Sequence, residues 1–275
     1  MGRTRVGISG WTYAGWRGDF YPKGLPHRRE LEYAAERLTS IEINGSFYSL
    51  QRPSSYARWR SEVPDDFVFA VKGGRFITHL KKLRDAEAPL ANFFASGVLS
   101  LDHTLGPFLW QLPATSTFDA DVLREFFALL PRTTTEATRL ALRHDDKVSG
   151  DRVWTGEVAE RPLFHALEPR HPSFGTDEAT ELLREHDVAL VVADSAGKWP
   201  CFDHAIGPIV YVRLHGDTEL YTSGYSDEAL DAWADRITGW TASGRDGYVY
   251  FDNDAKGFAP HDARKLIEKL AQRGA

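Results

Sequence analysis

Polar residues recur near the ends of short apolar runs, and their spacing is the first feature with chemical meaning. If each run is a strand, side chains two apart share a face. That puts Gly7 with Ser9, Glu42 with Asn44, Ala70 with Lys72, and Ala166 with Glu168 and Arg170. It also groups Tyr211 with Arg213 and His215, and Tyr250 with Asp252 and Asp254. Gln111 and Asp194 join them from two further runs. Such a set could carry acid–base chemistry. Glu168 and Asp194 are candidate general acids or bases, tuned by burial and by each other. Lys72, Arg213 and His215 could hold an anion or offset negative charge in a transition state, and His215 could also shuttle protons. Glu42 and Asp252 complete the catalytic candidates. A buried ion pair explains any one of these residues alone. Burying all of them together carries a heavy desolvation cost, so a pocket shared with a polar ligand is the simpler account.

Two loops add candidate binding groups. The segment after the first run, Ser9-Gly10-Trp11-Thr12-Tyr13-Ala14-Gly15-Trp16, is unusually aromatic and continues to Phe20-Tyr21-Pro22. Trp11 and Trp16, with Tyr48 further on, could stack on a sugar or base, or could simply cap a hydrophobic core. The second loop, Lys72-Gly73-Gly74-Arg75-Phe76-Ile77-Thr78-His79, precedes Lys81, Lys82 and Arg84 and forms the one clear basic cluster. Its cations suit phosphate or carboxylate, with Arg75 and His79 favoured over the lysines, which equally fit a solvated helix face. Ser9, Asn44, Gln111, Arg170, His171, Tyr250 and Asn253 complete the expected ligand contacts.

The elements that must position these groups alternate strand with helix, which argues for a parallel sheet. Eight strands are expected, at 5–10, 40–44, 67–72, 107–112, 163–168, 189–194, 209–215 and 247–252. Helical spacing covers 27–38, 53–63, 119–130, 177–186, 227–240 and 260–273. Thr176 and Ser226, each followed by two acidic residues, read as N-caps. Eight such units predict a closed (β/α)8 barrel, a single domain over 1–275. In such a barrel Ile41, Ile43, Phe69, Val71, Val212 and Leu214 turn towards the helices, and the polar set rings the C-terminal mouth. Residues 133–162, rich in charge and Thr with little periodicity, read as an insertion before the fifth strand.

Bulk properties narrow the partners. The chain has 275 residues, 42% of them hydrophobic, enough for a full barrel core. No run of about 18 apolar residues is present, and Met1 leads directly into Gly-Arg-Thr-Arg, so a soluble, cytoplasmic protein without membrane contact is expected. The one cysteine, Cys201, rules out an intramolecular disulfide and a cysteine metal cluster. A net charge of −6 disfavours nucleic acid as a partner. Phosphate-binding, dinucleotide, His-Glu-x-x-His and Gly-x-Ser-x-Gly motifs are all missing, so no cofactor is expected.

Several stretches together resemble the YecE-like family, also known as domain of unknown function 72. They are Val6-Gly7-Ile8-Ser9-Gly10-Trp11, Trp16-Arg17-Gly18 with Phe20-Tyr21-Pro22, and Ile41-Glu42-Ile43-Asn44 with Phe47-Tyr48. Phe69-Ala70-Val71-Lys72, Arg75 to His79, Leu105-Gly106-Pro107 and Gln111-Leu112-Pro113 continue the match. It ends with Ala166 to His171, Tyr211 to Gly216 and Tyr250 to Asp254. The resemblance runs nearly end to end and implies a TIM-type barrel, with no established activity. Phe174 stands where Trp is expected and Asp252 where Asn is usual; neither removes a charge from the proposed pocket. Three readings follow. The preferred one is an enzyme acting on a small polar anion, such as a sugar phosphate or related acid. The second is a metal-assisted phosphodiesterase or nucleic-acid-binding barrel whose ligands are Glu42, Glu168, His171, Asp194, His215 and Asp252. The third is a noncatalytic metabolite-binding protein.

Overall fold

A computed structural model describes residues 2–154 and 156–274. Among them, eight parallel strands close into a barrel in chain order: β1 (Thr4–Ser9), β2 (Ser40–Ile43), β3 (Val68–Lys72), β4 (Leu105–Gln111), β5 (His165–Glu168), β6 (Val188–Asp194), β7 (Val210–Leu214) and β8 (Gly247–Phe251). The strands coincide with the expected apolar runs to within two residues at either end, and the fold is the expected (β/α)8 barrel.

By their internal contacts the residues fall into two compact units, 1–42 with 189–275, and 43–188. In the first, β1 pairs with β2 and β8, β6 with β7, and β7 with β8. Helices α8 (Asp227–Thr241) and α9 (Phe258–Gln272), numbered by their place in the chain after α1 to α7, pack on β7 and on β1 and β8. Their buried stripes, Leu230, Trp233, Ala234 and Ile237 on α8 and Ala263, Leu266 and Leu270 on α9, recur at helical spacing. Ser226 caps α8 as expected, accepting from the Ala229 N–H.

In the second unit β3 pairs with β4, and β4 with β5. Its helices are α2 (Gly45–Tyr48), α3 (Pro53–Ser61), α4 (Glu87–Ala95), α5 (Ala120–Leu129), α6 (Thr134–Ala141) and α7 (Asp177–Glu185), with α1 (Glu30–Ala35) belonging to the first unit. Thr176 caps α7 through the Ala179 N–H. Three of these helices, the single turn α2 and the longer α4 and α6, fall outside the expected helical stretches. Six of the nine residues of α4 are buried, so it lacks the polar face that reveals a surface helix. Helix α6 lies within residues 133–162, where little periodicity is apparent. It is capped by Thr133, buries Thr134, Ala137, Leu140 and Ala141, and packs on α4. A bridge between Thr133 and Pro162 closes the base of that segment, in which Thr155 lies outside the described residues.

Candidate functional site

In the first unit the polar faces of β1, β2, β7 and β8 form one hydrogen-bonded network. Register sets Ser9 opposite Glu42, and Ser9 Oγ donates to Glu42 Oε1 at 2.9 Å. Tyr211 donates to Glu42 Oε2 at 2.7 Å. Arg213 grips the same carboxylate with Nε at 3.1 Å and Nη2 at 2.9 Å, a bidentate fork with both side chains fully buried. Arg213 Nη2 also lies 3.0 Å from Asp252 Oδ2. His215 Nδ1 is 3.0 Å from the same Asp252 oxygen, and its Nε2 is 3.4 Å from Arg213 Nη1. The rings of Tyr221 and Trp199 flank His215 edge-on, at 5.4 and 6.3 Å. Below the network Tyr250, itself buried, shares a 2.7 Å hydrogen bond with Ser40 Oγ.

Shared parity along the strands is what brings Ser9, Glu42, Arg213, His215 and Asp252 together. Asp194 sits in a separate arrangement, accepting from Tyr225 at 3.0 Å and from the Ala196 N–H at 3.2 Å. Burial raises its pKa, opposed by those two donors. Asp254 and Tyr13, both outside the expected catalytic and ligand-binding sets, are a further acidic group. Tyr13 donates to the Ser9 carbonyl at 2.6 Å. Burial raises the Asp254 pKa, and the neighbouring charge of Asp252 adds to the rise. The signal for Asp254 was its parity with Tyr250 and Asp252; for Tyr13 no spacing rule applies. Trp16 is fully buried, donates to the Asp254 carbonyl at 3.4 Å and packs on Phe20 and Tyr21. Its role is that of a cap. The Trp11 carbonyl accepts from Tyr21 at 2.6 Å. Asn253, also fully buried, donates to the Ser223 carbonyl and to Asp262, tying its loop to α9.

The second unit carries a cationic cluster. Glu168, fully buried, lies opposite Gln111 in the β4–β5 register; Gln111 Nε2 donates to both its oxygens, at 3.1 and 3.0 Å. Arg170 Nε donates to Glu168 Oε1 at 2.8 Å. Lys72 Nζ lies 4.5 Å from the centre of the Phe47 ring, and His79 meets that ring edge-on at 5.1 Å. Phe47 is therefore the aromatic that organises these groups, whereas Tyr48 is 70% exposed. His79 belongs to a π-helical turn, Phe76–Leu80, that begins beside exposed Arg75; such turns concentrate at functional sites. Burial lowers the His79 pKa, and the charges of Lys72, Arg170 and Arg75 lower it further. Both effects favour the neutral form of the ring. Asn44 has a buried Oδ1 without a hydrogen-bond partner among the described residues. His171 turns aside: its Nδ1 accepts from the Ser173 N–H and caps a short turn.

Among the described residues, no three His, Cys, Asp or Glu side chains are grouped to hold a metal ion. Two of the expected ligands are engaged by other partners, Glu42 by Ser9, Tyr211 and Arg213, and Glu168 by Gln111 and Arg170. No described helix is long and apolar enough to cross a membrane.

An eight-stranded barrel with polar side chains at the C-terminal ends of its strands belongs to the TIM-barrel class, which keeps its chemistry there. Residues 5–275 match the family model described as "Protein of unknown function DUF72", and the chain belongs to that family. UPF0759 protein YecE of Escherichia coli (strain K12) is 30% identical over 110 residues, 40% of this chain and 38% of that relative's length. UPF0759 protein YunF of Bacillus subtilis (strain 168) is 21% identical over 289 residues, covering 96% of this chain and 94% of its own. The crystal structure of a DUF72 family protein from Thermotoga maritima MSB8 superposes with a TM-score of 0.77 at 24% identity, over 98% of this chain and 99% of that one. That last likeness is one of fold.

Proposed function

We propose that the chain is an enzyme acting on a small polar anion, a sugar phosphate or a related acid, by acid–base chemistry at the cluster in residues 43–188. The observation that carries this reading is the charge balance around His79. Lys72, Arg75 and Arg170 act on it, opposed by one carboxylate, Glu168, that already accepts from Arg170 and Gln111. An anion entering this cluster gains from the gathered cations and finds a neutral imidazole able to accept a proton.

In this reading Glu168 positions Arg170, Lys72 and Arg75 hold the anion, and His79 moves the proton. The Glu42–Arg213–Asp252 network acts as structural support in its own unit. A cytoplasmic location fits the single cysteine, Cys201, which is exposed. Calorimetric titration with glucose 6-phosphate at pH 7 tests the proposal. Wild type should bind, and Arg75→Gln, an exposed substitution, should weaken binding by about tenfold to a hundredfold, the loss of one charge-assisted hydrogen bond of about 1.5–3 kcal/mol. Equal affinity in the variant, or no binding by wild type, would overturn it.

A further inference from the structure

The basic residues following His79 lead to a second feature, separate from the His79 cluster. The turn after the π-helical segment holds three non-glycine residues in left-handed backbone, Lys82 at φ 50°, Leu83 at 67° and Asp85 at 46°. Side chains disfavour that region, and such strain collects at ligand sites. The turn is fixed by hydrogen bonds from the Leu83 N–H to the Ile77 carbonyl and from Arg84 to Lys81, both 3.0 Å. Its result is that Leu83 is buried at 4% exposure while Lys82 and Arg84 remain at the surface.

Beside this turn is a cavity of about 320 Å³, at the lower end of the range for small-molecule sites. Its lining is divided by chemistry. Leu112, Val122, Leu123 and Phe174, all buried, join Leu83 in an apolar floor. Lys82, Arg84, Thr115, Ser116 and Thr117 supply cations and hydroxyls. Arg84 is paired with Asp119 at 2.9 Å, which leaves Lys82 as the cation of this lining with no ion-pair partner among the described residues. Ser116 Oγ is buried and has no hydrogen-bond partner there either, although its residue lines the cavity. The far wall is tied down by the Phe118 N–H donating to Ser173 Oγ at 2.7 Å and by the Phe118 and Phe174 rings, 5.5 Å apart.

From the cavity, the strained turn and the buried hydroxyl we infer a second binding site, for a small molecule with an apolar body and one anionic group. The apolar body fills the floor over Leu123 and Phe174, the anionic group meets Lys82, and Ser116 donates to it. Inorganic phosphate alone lacks the part that the floor recognises.

Phenyl phosphate is a suitable probe, followed by amide-resolved NMR on wild type, Lys82→Ala and Lys72→Gln. It should shift the amides of Ser116 to Leu123 with a Kd on the order of 1 mM or tighter. Lys82→Ala should raise that Kd about fivefold or more, while Lys72→Gln leaves it unchanged, because Lys72 belongs to the other cluster. Inorganic phosphate should leave these amides unmoved. The inference is overturned if phenyl phosphate fails to shift them in wild type, if Lys82→Ala binds as wild type does, or if Lys72→Gln abolishes the shifts. The last outcome would assign the probe to the His79 cluster and leave the proposed function standing.

Discussion

Arg213→Met should destabilise the protein by about 3–5 kcal/mol, because it removes the partner of a buried charge rather than a surface contact. Glu42 and Arg213 are both fully buried, and Asp252 is nearly so, with 15% of its side chain exposed. Without the guanidinium, Glu42 keeps only the hydroxyl donors Ser9 and Tyr211, too little to hold a carboxylate ionised away from water. Chemical denaturation of wild type, Arg213→Met and Arg213→Met/Glu42→Leu separates charge from packing. The double variant should recover a large share of the loss, since a buried pair adds little net stability over apolar side chains. A single variant within about 1 kcal/mol of wild type would show that the network bears little of the fold's stability.

Gly7→Ala should cost about 4 kcal/mol or more, or yield no folded protein, for a different reason. Gly7 pairs with Ser40 in the β1–β2 register, and a Cβ added there would lie 1.8 Å from the Ser40 carbonyl oxygen. That neighbour is strand backbone and cannot swing aside as a side chain can. The strands would have to separate beyond their usual spacing of about 4.8 Å. Gly15→Ala is the control: nothing lies within 4 Å of its added Cβ, so its melting temperature should stay close to that of wild type. If Gly7→Ala melted like Gly15→Ala, close approach would not be the reason for glycine at position 7.

Much of the barrel is readable in the sequence because a buried parallel strand leaves two marks, an apolar run and a period of two. The period explains why Ser9, Glu42, Arg213 and Asp252 can be grouped from the sequence alone, since residues of one parity on neighbouring strands share a face. Helix α4 leaves no such mark, being apolar on nearly every side, with Pro89 in its first turn. Helix α6 is too short for its stripe to stand out.

Within the candidate site, residue type gave chemistry but not partners. Glu42 and Glu168 look alike in sequence, yet one is gripped by Arg213 and the other by Gln111 and Arg170. Trp16 and Phe47 both follow a strand as aromatics of a connecting segment, yet one is buried as a cap and the other lies against Lys72 and His79. These differences arise from contacts between residues far apart in the chain, and no local pattern encodes them. Asp254 and Tyr13 illustrate the same limit, since the carboxyl draws its raised pKa from tertiary burial.

The pH behaviour of His79 connects the charge balance to function. Its folded pKa is lowered below the usual histidine value, with burial the larger cause and the nearby cations the next. Its contribution to stability is therefore fully present above the unfolded pKa and is lost as pH falls through the folded pKa. An anion bound among Lys72, Arg75 and Arg170 offsets their charge and favours the imidazolium. By linkage, binding then takes up protons and tightens as pH falls through the His79 titration. NMR titration of the His79 ring with and without inorganic phosphate tests the central claim most directly. The His79 pKa should rise clearly when phosphate is added, and less in Lys72→Gln; a titration curve that phosphate leaves unmoved would show that no anion binds among these cations.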